Sequence, residues 1–139
     1  MLAAMILGAD GVQMGTRFVA CMESSAHENF KNMVLKAKEG YTSLTLKEIT
    51  PVRMMKNKFF QELEELYKTS PSKEQLLNKL GRGRAKLGMF EGDLESGELE
   101  IGQASSQINE VFTAKEIVQQ IMSEFNSIKS QISIANKFN

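Results

Sequence analysis

Residues 7–18 read LGADGVQMGTRF and are the most informative stretch of the chain for its architecture. The apolar run before Gly8 is compatible with the last turns of a helix, and Gly8 stands where a C-cap glycine belongs. Asp10-Gly11 is a turn signal, and residues 11–15 are a mostly apolar run bounded by glycines. A helix end, a tight turn and a buried strand make the αβ half of a βαβ unit, so we predict a strand at about residues 11–15.

This predicted strand has no obvious partner in the sequence. An apolar strand of the parallel type is normally flanked on both sides, because a lone strand leaves its backbone donors and acceptors unpaired. Two interpretations follow. Either the chain is a piece of a larger sheet, or residues 11–15 are not a strand.

Helical patterns account for most of the remaining chain. Ser25 and Glu28 have the spacing of a capping box, and so do Thr113 and Glu116. The second box precedes the strongest amphipathic pattern of the sequence. In chain order the prediction is a helix at about 26–38, an extended connection or edge strand at 41–50 ended by Pro51, helices at 57–68 and 72–80, a turn or two at 83–90, a loop at 91–102 and a helix at 114–132.

Composition and charge limit the classes of partner. The 139 residues are 42% hydrophobic and 24% charged, which is typical of a globular protein. Seventeen basic residues balance seventeen acidic ones, so we expect no nucleic-acid partner, which needs a clustered basic surplus. The one basic cluster contains Lys79, Arg82, Arg84 and Lys86, and we interpret it as a solvated loop and helix end.

Cysteine usage and the N-terminal residues bear on the compartment. Cys21 is the only cysteine, so no disulfide can form within the chain, which fits a reducing compartment. The apolar run at residues 1–7 is too short to span a bilayer and lacks the basic start of a signal peptide. We therefore expect a cytoplasmic protein with no membrane partner.

A longer pattern begins with the residues quoted first. LGADGV resembles late strands of many phosphate-binding TIM barrels, including the inosine-monophosphate dehydrogenase group. QMGTRF and the motifs that follow it resemble the nitronate monooxygenase (2-nitropropane dioxygenase) and enoyl-ACP reductase II family, from Leu2 to about residue 125. These later motifs are Glu23-Ser24, Ala26-His27, Phe30-Lys31, Pro51-Val52-Arg53, Lys56-Asn57, Glu91-Gly92-Asp93, Gly97 and Gly102-Gln103.

The resemblance implies an α/β fold class, as the C-terminal fragment of an FMN-dependent (β/α)8 TIM barrel. Residues 1–139 are then the C-terminal portion of one FMN-binding domain, with strand eight at about 11–15 and a helical remainder at 25–132, largely helical as isolated. A barrel needs roughly 200 to 250 residues. We therefore expect the chain to cover the last third to half of such a protein, with strand seven before Leu2, and to be inactive alone.

The resemblance places the FMN phosphate on Gln13, Met14, Gly15 and Thr16. This agrees with the barrel template, in which a phosphate binds at the loops after strands seven and eight, near a helix N-terminus. Gly15 allows close approach of the main chain, and Thr16 adds a hydroxyl donor. From spacing alone, the alternative is a tight turn without a ligand.

Four other positions carry weaker expectations. Arg17 is either a second phosphate contact or a salt-bridge partner of Glu23, and we favour the structural role. His27 is expected to be structural or solvent-facing, since the catalytic histidine of the nitronate monooxygenases lies on an earlier strand. Cys21 is expected to be a small buried apolar residue. Gly102-Gln103 is expected to pack near the flavin end of the barrel. We predict no catalytic residue and no metal site in this chain.

Two functions from different classes remain. The resemblance implies an FMN-dependent oxidoreductase that oxidises alkyl nitronates with dioxygen, or reduces a 2-enoyl group on acyl-carrier protein with NAD(P)H. The partner is then a small-molecule or carrier-linked substrate, and exposed apolar surface predicts a homodimer or other self-association. The alternative is a non-enzymatic, all-α interaction module in which residues 8–15 are only a loop and the helix at 114–132 binds a partner.

Overall fold

The computed structural model describes residues 1–134 of the chain. These residues form α1 (Leu2–Ile6), α2 (Thr16–Val19), α3 (Glu28–Leu35), β1 (Thr42–Thr45), β2 (Val52–Met55), α4 (Lys58–Tyr67), α5 (Lys73–Leu80), a π-helical segment (Lys86–Phe90), a 3₁₀ helix (Gln103–Gln107) and α6 (Ala114–Ile134). Within this part of the chain no helix is both long and apolar enough to cross a membrane.

The segment predicted as a strand at residues 11–15 is not one in the structure. Gly8 follows α1 with a φ of 96°, as expected of a C-cap glycine. Residues 11–14 then run without regular secondary structure to the start of α2. The physical reason is that a strand exists only through its neighbours, and none of the described residues pairs with this segment.

The remainder that was predicted to be helical contains a small sheet, of which only the first strand was predicted from the sequence. β1 and β2 pair antiparallel, with Thr42 opposite Met55. On the other side of β2, the Met55 amide donates to the Leu99 carbonyl at 2.9 Å and the Ile101 amide donates to the Arg53 carbonyl at 3.1 Å. The extended segment expected at 41–50 is therefore confirmed at Thr42–Thr45, whereas residues 47–50 form a turn. β2 and the pairing at 99–101 were not predicted.

β2 separates two hydrophobic clusters. Successive side chains of a strand point to opposite faces, and Met54 and Met55 are both fully buried. Met55 packs in one cluster with Phe30 and Val34 of α3. Met54 packs in the other with residues of β1's end, α4 and α5, namely Leu46, Phe59, Phe60, Leu63 and Leu76. This short strand thus joins the two halves of the core.

The helix caps agree with the sequence at one capping box and differ at the other. At the start of α6 the Thr113 amide donates to Glu116 Oε2 at 2.8 Å and the Glu116 amide donates to Thr113 Oγ1 at 3.2 Å, so this box is confirmed. The helix predicted at 26–38 instead begins at Glu28 and is capped by His27. The reason is that the His27 amide donates to the Met89 carbonyl at 2.7 Å, which holds this residue extended and outside the helix.

Candidate functional site

The four residues predicted to bind a phosphate lie in the link between α1 and α2. Gln13 and Gly15 are exposed, and Met14 and Thr16 are partly buried. Within residues 1–134 the backbone amides of residues 13–16 donate to no acceptor. The Met14 side chain turns away and lines an apolar cleft with Phe125 of α6. The link therefore presents a run of consecutive free N–H groups beside solvent.

Gly15 is the residue at which an anion has most room. It precedes α2 directly, and a Cβ atom built on it meets nothing within 4 Å. Its backbone has a φ of −92°, which any residue adopts. The missing side chain is therefore not needed for packing or for backbone conformation within the described chain, and leaves space at the main chain.

Thr16 connects this link to the segment that contains Gly102 and Gln103. The Gly102 amide donates to Thr16 Oγ1 at 3.1 Å, so the Thr16 hydroxyl proton is free to donate to another group. A Cβ atom on Gly102 would lie 2.5 Å from Thr16 Oγ1, so the contact requires glycine. The structure thus brings together two segments that are 86 residues apart in sequence.

Arg17 does not pair with Glu23. Its guanidinium donates to the Glu110 carbonyl at 3.4 Å and lies over the Phe112 ring, 5.5 Å from the ring centre. Glu23 instead accepts from the Ala114 amide at 2.8 Å, at the start of α6. This hydrogen bond lowers the pKa of the Glu23 carboxyl, because it favours the charged form. The expected salt bridge between Arg17 and Glu23 is therefore wrong, and within the described chain Arg17 contacts Glu110 and Phe112 instead.

His27 and Cys21 have structural places. His27 Nδ1 accepts from the Asn29 amide at 3.1 Å, and the ring packs on Gly92, where a Cβ atom would overlap it. Cys21 is buried and forms a parallel bridge with Phe112. Among residues 1–134 no group of three or more His, Cys, Asp and Glu side chains converges in a way that could hold a metal ion.

Comparison with known proteins agrees with the sequence pattern. Residues 1–124 match the family model described as nitronate monooxygenase. The chain is 31% identical over 123 residues to a probable nitronate monooxygenase of Bacillus subtilis, a match that covers 88% of this chain and 35% of that protein. A probable nitronate monooxygenase of Staphylococcus saprophyticus is 30% identical over 136 residues, covering 94% of this chain and 37% of that protein.

Solved structures give the same result for the fold. FabK from Thermotoga maritima superposes with a TM-score of 0.82 at 33% identity, covering 95% of this chain and 42% of that one. Its M276A mutant gives a TM-score of 0.79 at 33% identity, covering 96% of this chain and 40% of that one.

These FabK structures are TIM barrels, so the expected α/β class and the partial barrel are confirmed. The chain spans about 35% to 37% of the length of the curated relatives quoted above. The family model covers most of the chain, from α1 to the middle of α6. The chain belongs to the nitronate monooxygenase family.

Proposed function

We propose that this chain supplies the phosphate-binding part of an FMN-dependent oxidoreductase, with Gln13, Met14, Gly15 and Thr16 around the phosphate. The observation that carries the proposal is the run of four consecutive amides without an acceptor, placed directly before a helix. Backbone N–H groups at a helix start are favourable partners for an anion.

The residues present fit a phosphate group. Open space at Gly15 lets phosphate oxygens approach the amides of residues 13–16. The Thr16 oxygen accepts from the Gly102 amide, so the Thr16 hydroxyl proton is free to donate to a phosphate oxygen. FMN, when bound, supplies the redox chemistry, and these residues bind and orient it.

The whole protein's reaction follows from the family. It is either oxidation of alkyl nitronates with dioxygen or reduction of a 2-enoyl group on acyl-carrier protein, the second with NAD(P)H as electron donor. We assign no catalytic residue within residues 1–134.

We also propose that the 139-residue chain by itself is inactive and binds FMN only weakly, because a barrel site draws contacts from the ends of several strands. Retention of FMN at micromolar concentration would contradict this proposal.

The all-α interaction module has less support. The sequence suggested an all-α module because it showed no partner for the strand predicted at residues 11–15. In the structure, however, β1 and β2 form an antiparallel pair and residues 99–101 extend this sheet. Residues 8–15 are indeed a loop in the structure. The family match nevertheless includes this loop, which an unrelated module does not explain.

The test compares FMN with riboflavin, which lacks only the phosphate. Each is titrated into the ¹⁵N-labelled chain while the amide resonances are followed. We expect FMN, and not riboflavin, to shift the resonances of residues 13–17. Gly15→Ala should weaken this response at least several-fold and change the free energy of unfolding by less than about 1 kcal/mol, since the methyl group enters open space.

Gly11→Ala is the matched control. Its new Cβ atom also meets nothing within 4 Å, and it lies outside the four proposed residues. It should leave the FMN response unchanged. Equal shifts with FMN and riboflavin, or an unchanged response in Gly15→Ala, would refute the phosphate site.

A further inference from the structure

Gly102 reaches the proposed phosphate link from a segment far away in the sequence. Its amide donates to Thr16 Oγ1 at 3.1 Å, across 86 positions of the chain, and this contact is partly buried. The neighbouring elements, α2 and the 3₁₀ helix Gln103–Gln107, are in contact as well. The hydrogen bond therefore joins the proposed cofactor site to a separate part of the fold.

The position of the Gly102 amide is fixed from both sides. Directly before it, the buried Ile101 donates its amide proton to the Arg53 carbonyl of β2 at 3.1 Å. Directly after it, the Ser105 amide donates to the Gly102 carbonyl at 3.1 Å, at the start of the 3₁₀ helix. Groups held by regular elements in this way can keep a neighbouring side chain in one geometry.

Within residues 1–134, glycine at position 102 is explained by Thr16 alone. The backbone of Gly102 has a φ of −77° and a ψ of 165°, which any residue adopts. A Cβ atom built there meets only Thr16, at 2.5 Å from Oγ1 and 3.7 Å from Cβ. The longer distance is ordinary van der Waals contact, so the hydroxyl oxygen is the atom that excludes a side chain at this position.

The contact limits how the Thr16 hydroxyl can be oriented. A hydroxyl accepts with its lone pairs and donates its one proton. Because the Gly102 amide occupies a lone pair, the Thr16 proton points away from this amide and toward another acceptor. Thr16 is also β-branched, which restricts rotation about χ1. The hydrogen bond and the branched side chain thus hold the oxygen in one place.

We propose that Gly102 is a positioning residue of the phosphate site, whose amide orients the Thr16 hydroxyl to donate to a phosphate oxygen. The phosphate contacts Thr16, and Gly102 acts through Thr16. The proposal rests on the proposed function, since it names the distant segment that supports the same site. Because coupling between two sites is reciprocal, a bound phosphate also affects the Gly102 amide.

The test measures the dissociation constant for FMN from the amide resonances of residues 13–17 in the ¹⁵N-labelled chain. Gly102→Ala should raise this constant about three- to ten-fold, because its methyl group displaces Thr16 Oγ1 and one hydrogen bond is lost. Thr16→Ala should raise it by a similar factor. The double variant should bind no more weakly than Thr16→Ala, since without Oγ1 only the 3.7 Å contact remains.

Gly11→Ala is the matched control. It adds the same methyl group where nothing lies within 4 Å, so its dissociation constant for FMN should equal that of the wild type. The melting temperature of each variant without ligand is measured beside it. A merely structural role of Gly102 would lower the melting temperature in the Thr16→Ala background as well.

A second readout does not depend on the folding of Gly102→Ala. In the wild type, FMN should shift the amide resonance of Gly102, and riboflavin, which lacks the phosphate, should not. In Thr16→Ala, FMN should no longer shift this resonance, because the group that links Gly102 to the phosphate is gone.

Three outcomes would overturn the positioning role. They are an unchanged dissociation constant in Gly102→Ala, effects that multiply in the double variant, and a Gly102 resonance that FMN leaves unmoved in the wild type. If FMN and riboflavin shift residues 13–17 of the wild type equally, the phosphate site itself is refuted, and this role with it. Failure of the site is therefore seen in the wild type at residues 13–17, and failure of the positioning role alone at Gly102.

Discussion

Asn57 shows how one side chain can hold two distant segments. Its Nδ2 donates to the Leu94 carbonyl at 2.9 Å and to the Gly97 carbonyl at 2.8 Å, and its Oδ1 accepts from the Phe60 amide at 3.0 Å. The residue is buried. It caps α4 and at the same time fixes the loop that leads to residues 99–101.

We expect Asn57→Ala to lower the free energy of unfolding by about 3–5 kcal/mol, because it leaves buried carbonyls unpaired and removes a helix cap. Urea denaturation measures the change through the midpoint at constant slope. Asn78→Ala, an exposed asparagine of α5, is the control and should change stability by less than about 0.5 kcal/mol. A similar effect of both substitutions would contradict the role of Asn57.

Glu98 is a buried carboxyl without a hydrogen-bond partner among the described residues. Burial and, to a smaller extent, the charge of Glu100 raise the pKa of this group from 4.5 to about 7, although the charge of Arg84 lowers it. The folded protein therefore keeps a proton that the unfolded chain releases between these two pH values. The contribution of Glu98 to stability is fully present below pH 4.5 and is lost as the pH rises through 7.

We expect Glu98→Gln to be more stable than the wild type at pH 8 by at most about 3 kcal/mol, because glutamine imitates the protonated carboxyl. The difference should shrink as the pH falls to 5. Thermal or urea unfolding of both proteins across this range measures it, with Glu64→Gln on the exposed face of α4 as the control. A difference that does not depend on pH would show that ionisation of Glu98 is not the cause.

At the scale of elements, the π-helical segment is held by contact between two glycines. A Cβ atom on Gly97 would overlap the backbone of Gly88, and one on Gly88 would lie 2.6 Å from Leu99 Cδ2. The Lys86–Phe90 segment and the loop before residue 98 therefore pack backbone against backbone. This packing sets the position of Leu99 beside β2.

Gly97→Ala should destabilise the fold by more than about 3 kcal/mol, since the methyl group overlaps main-chain atoms that side-chain rotation cannot move. Gly11→Ala adds the same methyl group where nothing lies within 4 Å and is the matched control. Circular dichroism during urea denaturation compares the two. Equal stability of the two variants would rule out this close packing.

Arg84 lies just before the π-helical segment, and the interpretation of it from the sequence was wrong. It was interpreted as part of a solvated basic cluster. Instead its guanidinium donates to the carbonyl oxygens of Leu80 at 2.7 Å and Ser96 at 2.8 Å, and it lies 4.3 Å from the centre of the Phe59 ring. Two other members of the cluster differ, since Lys79 pairs with Glu62 and Lys86 with Glu91 at the surface.

At the scale of the whole molecule, one surface is apolar and uncovered within the described chain. α1 contacts α6, and beside this contact Ile6 is 67% exposed and Leu7 is 88% exposed. Ile128 and Ile132 of α6, which line the same cleft as Ile6, are exposed as well. Contiguous apolar surface of this kind is typical of interaction sites, so we expect the 139-residue chain to self-associate.

Sedimentation equilibrium tests this expectation. The wild type should show concentration-dependent association. Leu7→Glu with Ile128→Glu should shift it toward the monomer without lowering the melting temperature, because both residues are already exposed. Leu77→Glu on α5 places a charge on another exposed leucine and should leave association unchanged. A wild type that stays monomeric at all concentrations would contradict the prediction.

Features that depend only on residues close together in the sequence were determined by the sequence alone. The motif at residues 7–18 indicated the family, because its glycines and polar residues follow one another along the chain. The capping box at Thr113 and the helix of α4 were also predicted, since caps and helical periodicity are local. The expectation that residues 13–16 bind a phosphate has the same origin and stays a prediction.

Only the tertiary structure decided which distant residues meet. β2 is a strand because residues 99–101 and β1 pair with its two sides, and residues 11–14 are not a strand because no described segment pairs with them. Arg84 and Asn57 look like ordinary polar residues in the sequence. Their burial and partners come from segments up to 40 positions away, and no local pattern encodes such a contact.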